Sequence, residues 1–158
     1  MRLNKLTDYA VLILIPLAHA WPDGRLLASS SLADVSNVPG PTVSKLLKVL
    51  TRAGLLDSVR GVSGGYKLSR SPRDISVADI MLAVEGPIAL TDCVTGAQGD
   101  CDRLSMCWMN GRWDAVNAAV SGALSQVSLL EMMPSPLAFE PSFEEREMAA
   151  SARAKLNS

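Results

Sequence analysis

Residues 41–70 read PTVSKLLKVLTRAGLLDSVRGVSGGYKLSR, and this stretch decides the fold. Pro41 suits the first position of a helix. Val43, Leu46, Leu47 and Leu50 recur at helical spacing as one buried stripe, leaving Thr42, Ser44, Lys45, Lys48 and Arg52 facing out. Gly54 ends that helix as a glycine just past its C-terminus. Residues 55–59 and 66–68 then read as two short strands around Arg60-Gly-Val-Ser-Gly-Gly65, a glycine-rich hairpin. The loop RGVSGGY is a poor nucleotide cradle, because it has no G-x-G-x-x-G and no Gly-Lys-Ser/Thr opening a helix.

Working toward the N-terminus, Val38-Pro39-Gly40 is a turn, and Ser29, Ser30 and Ser31 cap a short helix over 32–36. Pro22-Asp23-Gly24 is another turn. Thr7 caps a first helix reaching about Ala20, with Leu6, Tyr9, Ala10, Ile13 and Leu17 on one face. Helix, short helix, turn, helix and hairpin in this order is the layout of a winged helix-turn-helix. The fold class expected is therefore mainly α with a small β-hairpin wing. The apolar run YAVLILIPLA behind Arg2 and Lys5 imitates a secretion signal, but Asp8 at its mouth and Pro16 inside it argue against that. A bilayer span needs roughly 20 apolar residues, more than the run supplies. The chain is accordingly expected to be cytoplasmic, with no membrane partner.

Charge agrees with a nucleic-acid face. Between residues 42 and 73 seven Lys/Arg stand against one acid, Asp57. A solvated basic surface has the same sign, so charge alone does not decide. Small side chains at the start of the third helix suit base edges in a major groove, Lys45 and Lys48 suit phosphates, and Arg60 at the hairpin tip suits a narrow minor groove. Glycines at 61, 64 and 65 permit close backbone approach. The full candidate contact set is Pro41, Thr42, Val43, Ser44, Lys45, Lys48, Arg60, Gly61, Ser63 and Tyr66 on a double-stranded DNA operator.

Downstream, Ser76 caps a helix over about 77–84 that Gly86-Pro87 ends. All three cysteines of the chain, Cys93, Cys101 and Cys107, follow within fifteen residues. An odd, clustered set is no disulfide framework. Thiolates on one loop suit a soft metal, and iron–sulfur clusters are held mainly by Cys. Zinc prefers closely paired Cys-x2–4-Cys ligands, which this spacing lacks. Trp113, Val116, Val120, Leu124 and Val127 mark a long amphipathic helix over about 108–126, read as a dimerisation helix; packing onto its own domain is the competing reading. A short helix over 128–132 and a weakly packed tail from 134, with a possible terminal helix capped by Ser142 and Glu145, complete the chain. The organisation expected is a DNA-binding domain over 1–86, a cluster-binding loop over 87–107, dimerisation and short helices over 108–133, and a tail over 134–158. One histidine in 158 residues leaves little for acid–base catalysis, so neither an enzyme nor a small-molecule substrate is expected.

The residues resemble a known family: the small dimeric winged-helix iron–sulfur transcriptional regulators of the IscR, NsrR and RirA group. The resemblance covers about 1–133. It is carried by MRLNKLTDYAV, by KLLKVLTRAGLLDSVRGVSGGYKLSR, by ISVADIMLAVEGPIALTDC and by the Cys-x7-Cys-x5-Cys spacing. The opening, the approach to Cys93 and the tryptophans after Cys107 look most like the branch that regulates SUF iron–sulfur assembly genes. What the resemblance implies is a homodimeric repressor with one [4Fe-4S] or [2Fe-2S] cluster per subunit. Alternatives are a nitric-oxide- or iron-responsive member, or a structural-zinc DNA-binding protein. Some members carry a His three residues after the last Cys; here Asn110 stands there, a poor iron ligand. Asp8 matches the oxygen-ligand position of NsrR-type relatives. Its other reading is a first-turn acid favoured by the helix dipole. The lone His19 reads as structural.

Overall fold

The computed structural model describes residues 4–94 and 106–134. They form helices α1 (Lys5–His19), α2 (Ser29–Ser36) and α3 (Gly40–Arg52), strands β1 (Leu56–Val59) and β2 (Gly65–Leu68), and helices α4 (Val77–Glu85), α5 (Asp114–Gln126) and α6 (Leu129–Met132). The mainly helical class with a two-stranded wing is as expected. The tail from 135, with its possible helix, lies outside the described residues.

α1 starts differently from the sequence reading. Asn4 is its cap, accepting the Leu6 N–H at 3.1 Å, and Thr7 lies inside the helix, only 2% exposed. Thr7 is occupied by a distant partner instead: its hydroxyl donates to Glu85 Oε1, which also accepts the Asn4 N–H at 3.3 Å. The apolar run that imitates a signal is core. Ala10, Ile13, Leu14, Leu17 and Ala18 are all buried, and Pro16 is accommodated within the helix.

The expected serine cap of α2 is also corrected. Ser29, Ser30 and Ser31 are helical, Ala28 is the cap, and no side chain closes the helix start. Asn37 then turns the chain with φ +53°, a left-handed conformation that Asn tolerates better than most residues. In α3 the stripe falls as read: Val43, Leu46, Leu47 and Leu50 are buried. Gly54, at φ +72°, allows a Schellman closure, in which Leu55 N donates to Leu50 O at 3.0 Å and Gly54 N to Thr51 O at 3.0 Å.

β1 and β2 pair antiparallel, with Leu56 opposite Leu68 and Val59 opposite Gly65. Leu27 adds a third rung, exchanging both backbone hydrogen bonds with Tyr66 at 3.0 and 2.9 Å. One core unites Ile13, Leu14, Leu17, Leu32, Leu46, Leu47, Leu50, Leu55, Leu56, Leu68, Ile75, Ile80 and Leu129. Fully burying each such side chain contributes roughly 1.5–3 kcal/mol.

α4 opens on a reciprocal box. Asp79 N donates to Ser76 Oγ at 3.1 Å, and Ser76 N to Asp79 Oδ2 at 2.9 Å. Ser128 and Glu131 build the same device on α6. α5 is shorter than the periodicity implies. Gly111 takes φ +71°, and Cys107–Trp113 runs as successive tight turns, Asn110 N donating to Cys107 O at 3.1 Å and Arg112 N to Met109 O at 3.0 Å. Helix therefore begins only at Asp114.

Candidate DNA face and cysteine arm

The face read from the sequence divides on inspection. Pro41, Ser44, Lys45 and Lys48 are exposed on α3 and Thr42 is half-buried. Val43 does not belong with them: its side chain is fully buried in the core, so it supports the face from behind. On the wing, Arg60, Gly61 and Ser63 are exposed. Tyr66 is half-buried against the core and bridged to Leu27, which makes it the wing's anchor.

The glycines have a cause inside the wing. A Cβ on Gly64 would lie 2.3 Å from the Val59 carbonyl oxygen, and one on Gly65 would lie 2.7 Å from that of Leu27. Both positions demand glycine before any duplex is considered. The wing base is tied down next to this, where Arg70 meets Asp79 at 3.1 Å and its Nε donates to Asp74 O at 2.9 Å. Partial burial acts to raise the Asp79 carboxyl. The Ser76 N–H and hydroxyl, with the Arg70 charge, outweigh it and hold the group below its usual value.

The cysteine arm leaves α4 at Gly86. Asn117, the buried polar side chain of α5, fastens it: Asn117 Nδ2 donates to Ile88 O at 2.8 Å, and Leu90 N donates to Asn117 Oδ1 at 3.0 Å. Beyond that staple, the Thr91 hydroxyl lies 3.2 Å from Cys93 Sγ. Cys93 and Cys107 are free, half-buried thiols on the two sides of the loop. Cys101 lies outside the described residues. Trp108, next to Cys107, is 92% exposed; Val116 on α5 and the residues that cap its two ends, Trp113 and Val127, are partly exposed.

The candidate non-thiolate ligands are far apart. Asp8 is exposed on the first turn of α1, and His19 is exposed at its end. Eleven residues of helix separate them by roughly 16 Å. Asn110 is exposed among the turns after Cys107. Among the described residues no three His, Cys, Asp or Glu side chains converge into a metal-binding group, so Asp8 is not brought together with Cys93 and Cys107 within one chain. The thiols themselves are the right chemistry for a soft metal or an iron–sulfur cluster.

The sequence reading missed Asn117, Glu85 and Leu27. Asn117 is a polar residue in an apolar-periodic helix, a signal that was present. Glu85 directly precedes Gly-Pro, a weaker one. Leu27 pairs through its backbone alone and carries no side-chain signal.

The pattern of the Rrf2 family, described as iron-dependent transcriptional regulators, matches residues 3–135. This chain belongs to the Rrf2 family. Among its relatives, the HTH-type transcriptional regulator IscR of Cereibacter sphaeroides is 36% identical over 145 residues, 86% of this chain and 92% of that protein. The IscR of Photobacterium profundum is 33% identical over 136 residues, 84% of this chain and 76% of that protein. Of solved structures, the T. potens IscR superposes with a TM-score of 0.61 at 28% identity, covering 84% of this chain and 85% of that one. CymR, the global cysteine regulator of B. subtilis, gives 0.64 at 26%, covering 84% and 95%. The Rrf2 chain is thus an IscR-like, DNA-binding transcriptional regulator rather than an enzyme. Among the described residues no helix is long and apolar enough to cross a membrane.

Proposed function

We propose that this Rrf2 protein is an iron–sulfur-dependent repressor of SUF assembly or iron-homeostasis genes, acting in the cytoplasm as a homodimer. Cys93, Cys101 and Cys107 would hold one cluster per subunit, with Asp8 as the oxygen ligand supplied by the second copy. The observation that carries this reading is the Asn117 staple. It fastens the arm bearing Cys93 to α5, the helix that carries the partly exposed Val116 between the partly exposed Trp113 and Val127. A cluster held there would supply iron open to oxygen, oxidants or chelators, and a hard carboxylate ligand would be displaced more readily than a thiolate.

The chain's own residues do the rest. Asn117 holds the arm at a fixed height on α5, and Thr91 approaches the Cys93 sulfur. Glu85 ties the end of α4 to Asn4 and Thr7, one residue before Asp8. α4 packs on α3 and α1, so displacement of the arm reaches the helix that faces DNA. A second copy seated on Trp113, Val116 and Val127 covers apolar surface and presents two α3 helices to two half-sites.

The test is anaerobic purification of the parent and of Cys93→Ala, Cys101→Ala and Cys107→Ala, with iron and acid-labile sulfide measured in each. The expected result is a brown parent and loss of sulfide in every variant. Full retention in one variant removes that cysteine from the ligand set. Zinc without sulfide in the parent overturns the cluster reading and leaves a structural-zinc regulator.

A further inference from the structure

The wing ends in an apolar side chain that the protein leaves uncovered. Val62 is exposed over its entire side chain, 109% of the reference area. Val59, 47% exposed, lies opposite Gly65 and therefore has no cross-strand side chain over it. Arg60 stands between the two valines in sequence. The tip itself is constrained. Gly64 N donates to Gly61 O at 3.0 Å, Gly61 takes φ +118°, and Gly64 presses against the Val59 carbonyl too closely for any Cβ. Val62 thus projects outward from a hydrogen-bonded turn, within a stretch where seven cations face one acid.

We infer that Val62 is a specificity-determining DNA contact that packs against the deoxyribose walls of the minor groove beside the Arg60 guanidinium. The inference rests on the wing–DNA reading and adds a residue and a base preference to it. A B-DNA minor groove is about 6 Å wide, and A·T-rich segments narrow it further and strengthen its negative potential. The guanidinium takes the potential. A branched hydrocarbon takes the sugar C–H surfaces, displacing water without needing a hydrogen bond. The exocyclic amino group of guanine projects into the floor of that groove, into the space the valine would fill. The base pairs beneath the tip are therefore selected as A·T by volume, a steric readout added to the electrostatic A·T preference of the arginine.

The experiment uses the full-length, anaerobically purified protein and a duplex recovered by selection from a random-sequence pool. Affinity is measured by fluorescence anisotropy across a salt series for the parent, Val62→Ser, Arg60→Ala and Lys48→Ala. Val62→Ser is expected to weaken binding about three- to tenfold, the scale of one or two methyl groups removed from water. The slope of log affinity against log salt should stay unchanged, since no charge is removed. Replacing A·T by G·C beneath the tip should weaken the parent, and inosine·C, which lacks the amino group, should restore it. Val62→Ser should lose the steric part of that discrimination and keep the part due to Arg60, with the parent's thermal midpoint retained, which separates lost affinity from lost fold.

If Val62→Ser matches the parent in affinity and discrimination while Arg60→Ala weakens binding, the wing reaches DNA without Val62 and the inference fails alone. If Val62→Ser, Arg60→Ala and Lys48→Ala all match the parent, the DNA face itself is wrong and the inference falls with it. Reduced capture of a protein partner by Val62→Ser, with DNA binding intact, would reassign the tip to a protein contact and overturn it.

Discussion

Replacing Asn117 separates the cysteine arm from α5 without touching a cysteine. Its side chain makes two hydrogen bonds to backbone groups 27 and 29 residues away, at 3.0 and 2.8 Å. Each is worth a net 0.5–1.5 kcal/mol, so Asn117→Ala, which leaves room for water, should cost roughly 1–3 kcal/mol. Asn117→Leu should cost about 1 kcal/mol more, because the Leu90 N–H and Ile88 C=O would then face hydrocarbon. For a chain of this length each 1 kcal/mol shifts the thermal midpoint by about 3 °C. Calorimetry or circular dichroism on the reduced apo-protein therefore resolves the two variants from the parent and from each other.

A second readout locates the effect. The half-buried Cys93 thiol sits three residues past Leu90, so its alkylation by iodoacetamide should accelerate several-fold in both variants. Peptide mapping identifies the modified thiol. An Asn117→Leu protein that unfolds within 0.5 kcal/mol of the parent and alkylates Cys93 at the parent's rate would refute the staple. The role given to it in the proposed function would go with it.

Three other perturbations follow from the same geometry. Thr7→Val removes the hydroxyl that Glu85 accepts and should destabilise the fold by about 1–2 kcal/mol in urea titrations; no change would leave Glu85 satisfied by Asn4 alone. Asp79→Asn weakens the box that opens α4 and should cost about 1 kcal/mol at neutral pH. The Asp79 pKa is depressed in the folded state, so its contribution is present above about pH 4 and fades as pH falls through the folded value; a cost that showed no decline on acidification below about pH 4 would contradict the electrostatic origin. Gly64→Ala meets backbone rather than a yielding side chain, so it should abolish specific DNA binding by distorting the wing while far-ultraviolet circular dichroism still reports the helices.

The parts legible in the sequence are those fixed by neighbours in the chain. The α3 stripe, the glycine that closes it and the serine before α4 depend on residues within one helical turn, and each falls where its pattern places it. The misreadings have physical reasons of two kinds. Thr7 has every local property of a cap, but Asn4 sits at the half-helical position, and Thr7 is claimed by Glu85 from 78 residues away. The start of α5 is set by Gly111 entering the left-handed region, which apolar spacing across 108–126 does not register. Val43 shows a helical site residue assigned by proximity in sequence; a step of one along α3 turns a side chain about 100° and carries it from the proposed DNA face into the core.

The candidate site was legible as chemistry and less so as assembly. Three thiols in fifteen residues have the chemistry that suits a soft metal, but nothing local says how the ends of their loop are held. Its entry is anchored twice, by hydrogen bonds between residues distant in sequence. At the base, Glu85 joins α4 to the first turn of α1; further out, Asn117 joins residues 88 and 90 to α5. Only Gly86 and Pro87 lie between these anchors, with Gly86 at φ +89° and proline's φ fixed by its ring. A connection of two residues, one of them proline, can absorb only a small shift of α5 relative to α4. A larger rearrangement of the arm therefore loads the Thr7–Glu85 link beside Asp8, or moves α4 against α3, the helix that presents Ser44, Lys45 and Lys48. This gives the Thr7→Val and Asn117→Leu variants a joint signature. If the two anchors act on one connection, their stability costs should fall short of additive by at least about 0.5 kcal/mol in the double variant, and strict additivity would mean that the arm and the first helix respond independently.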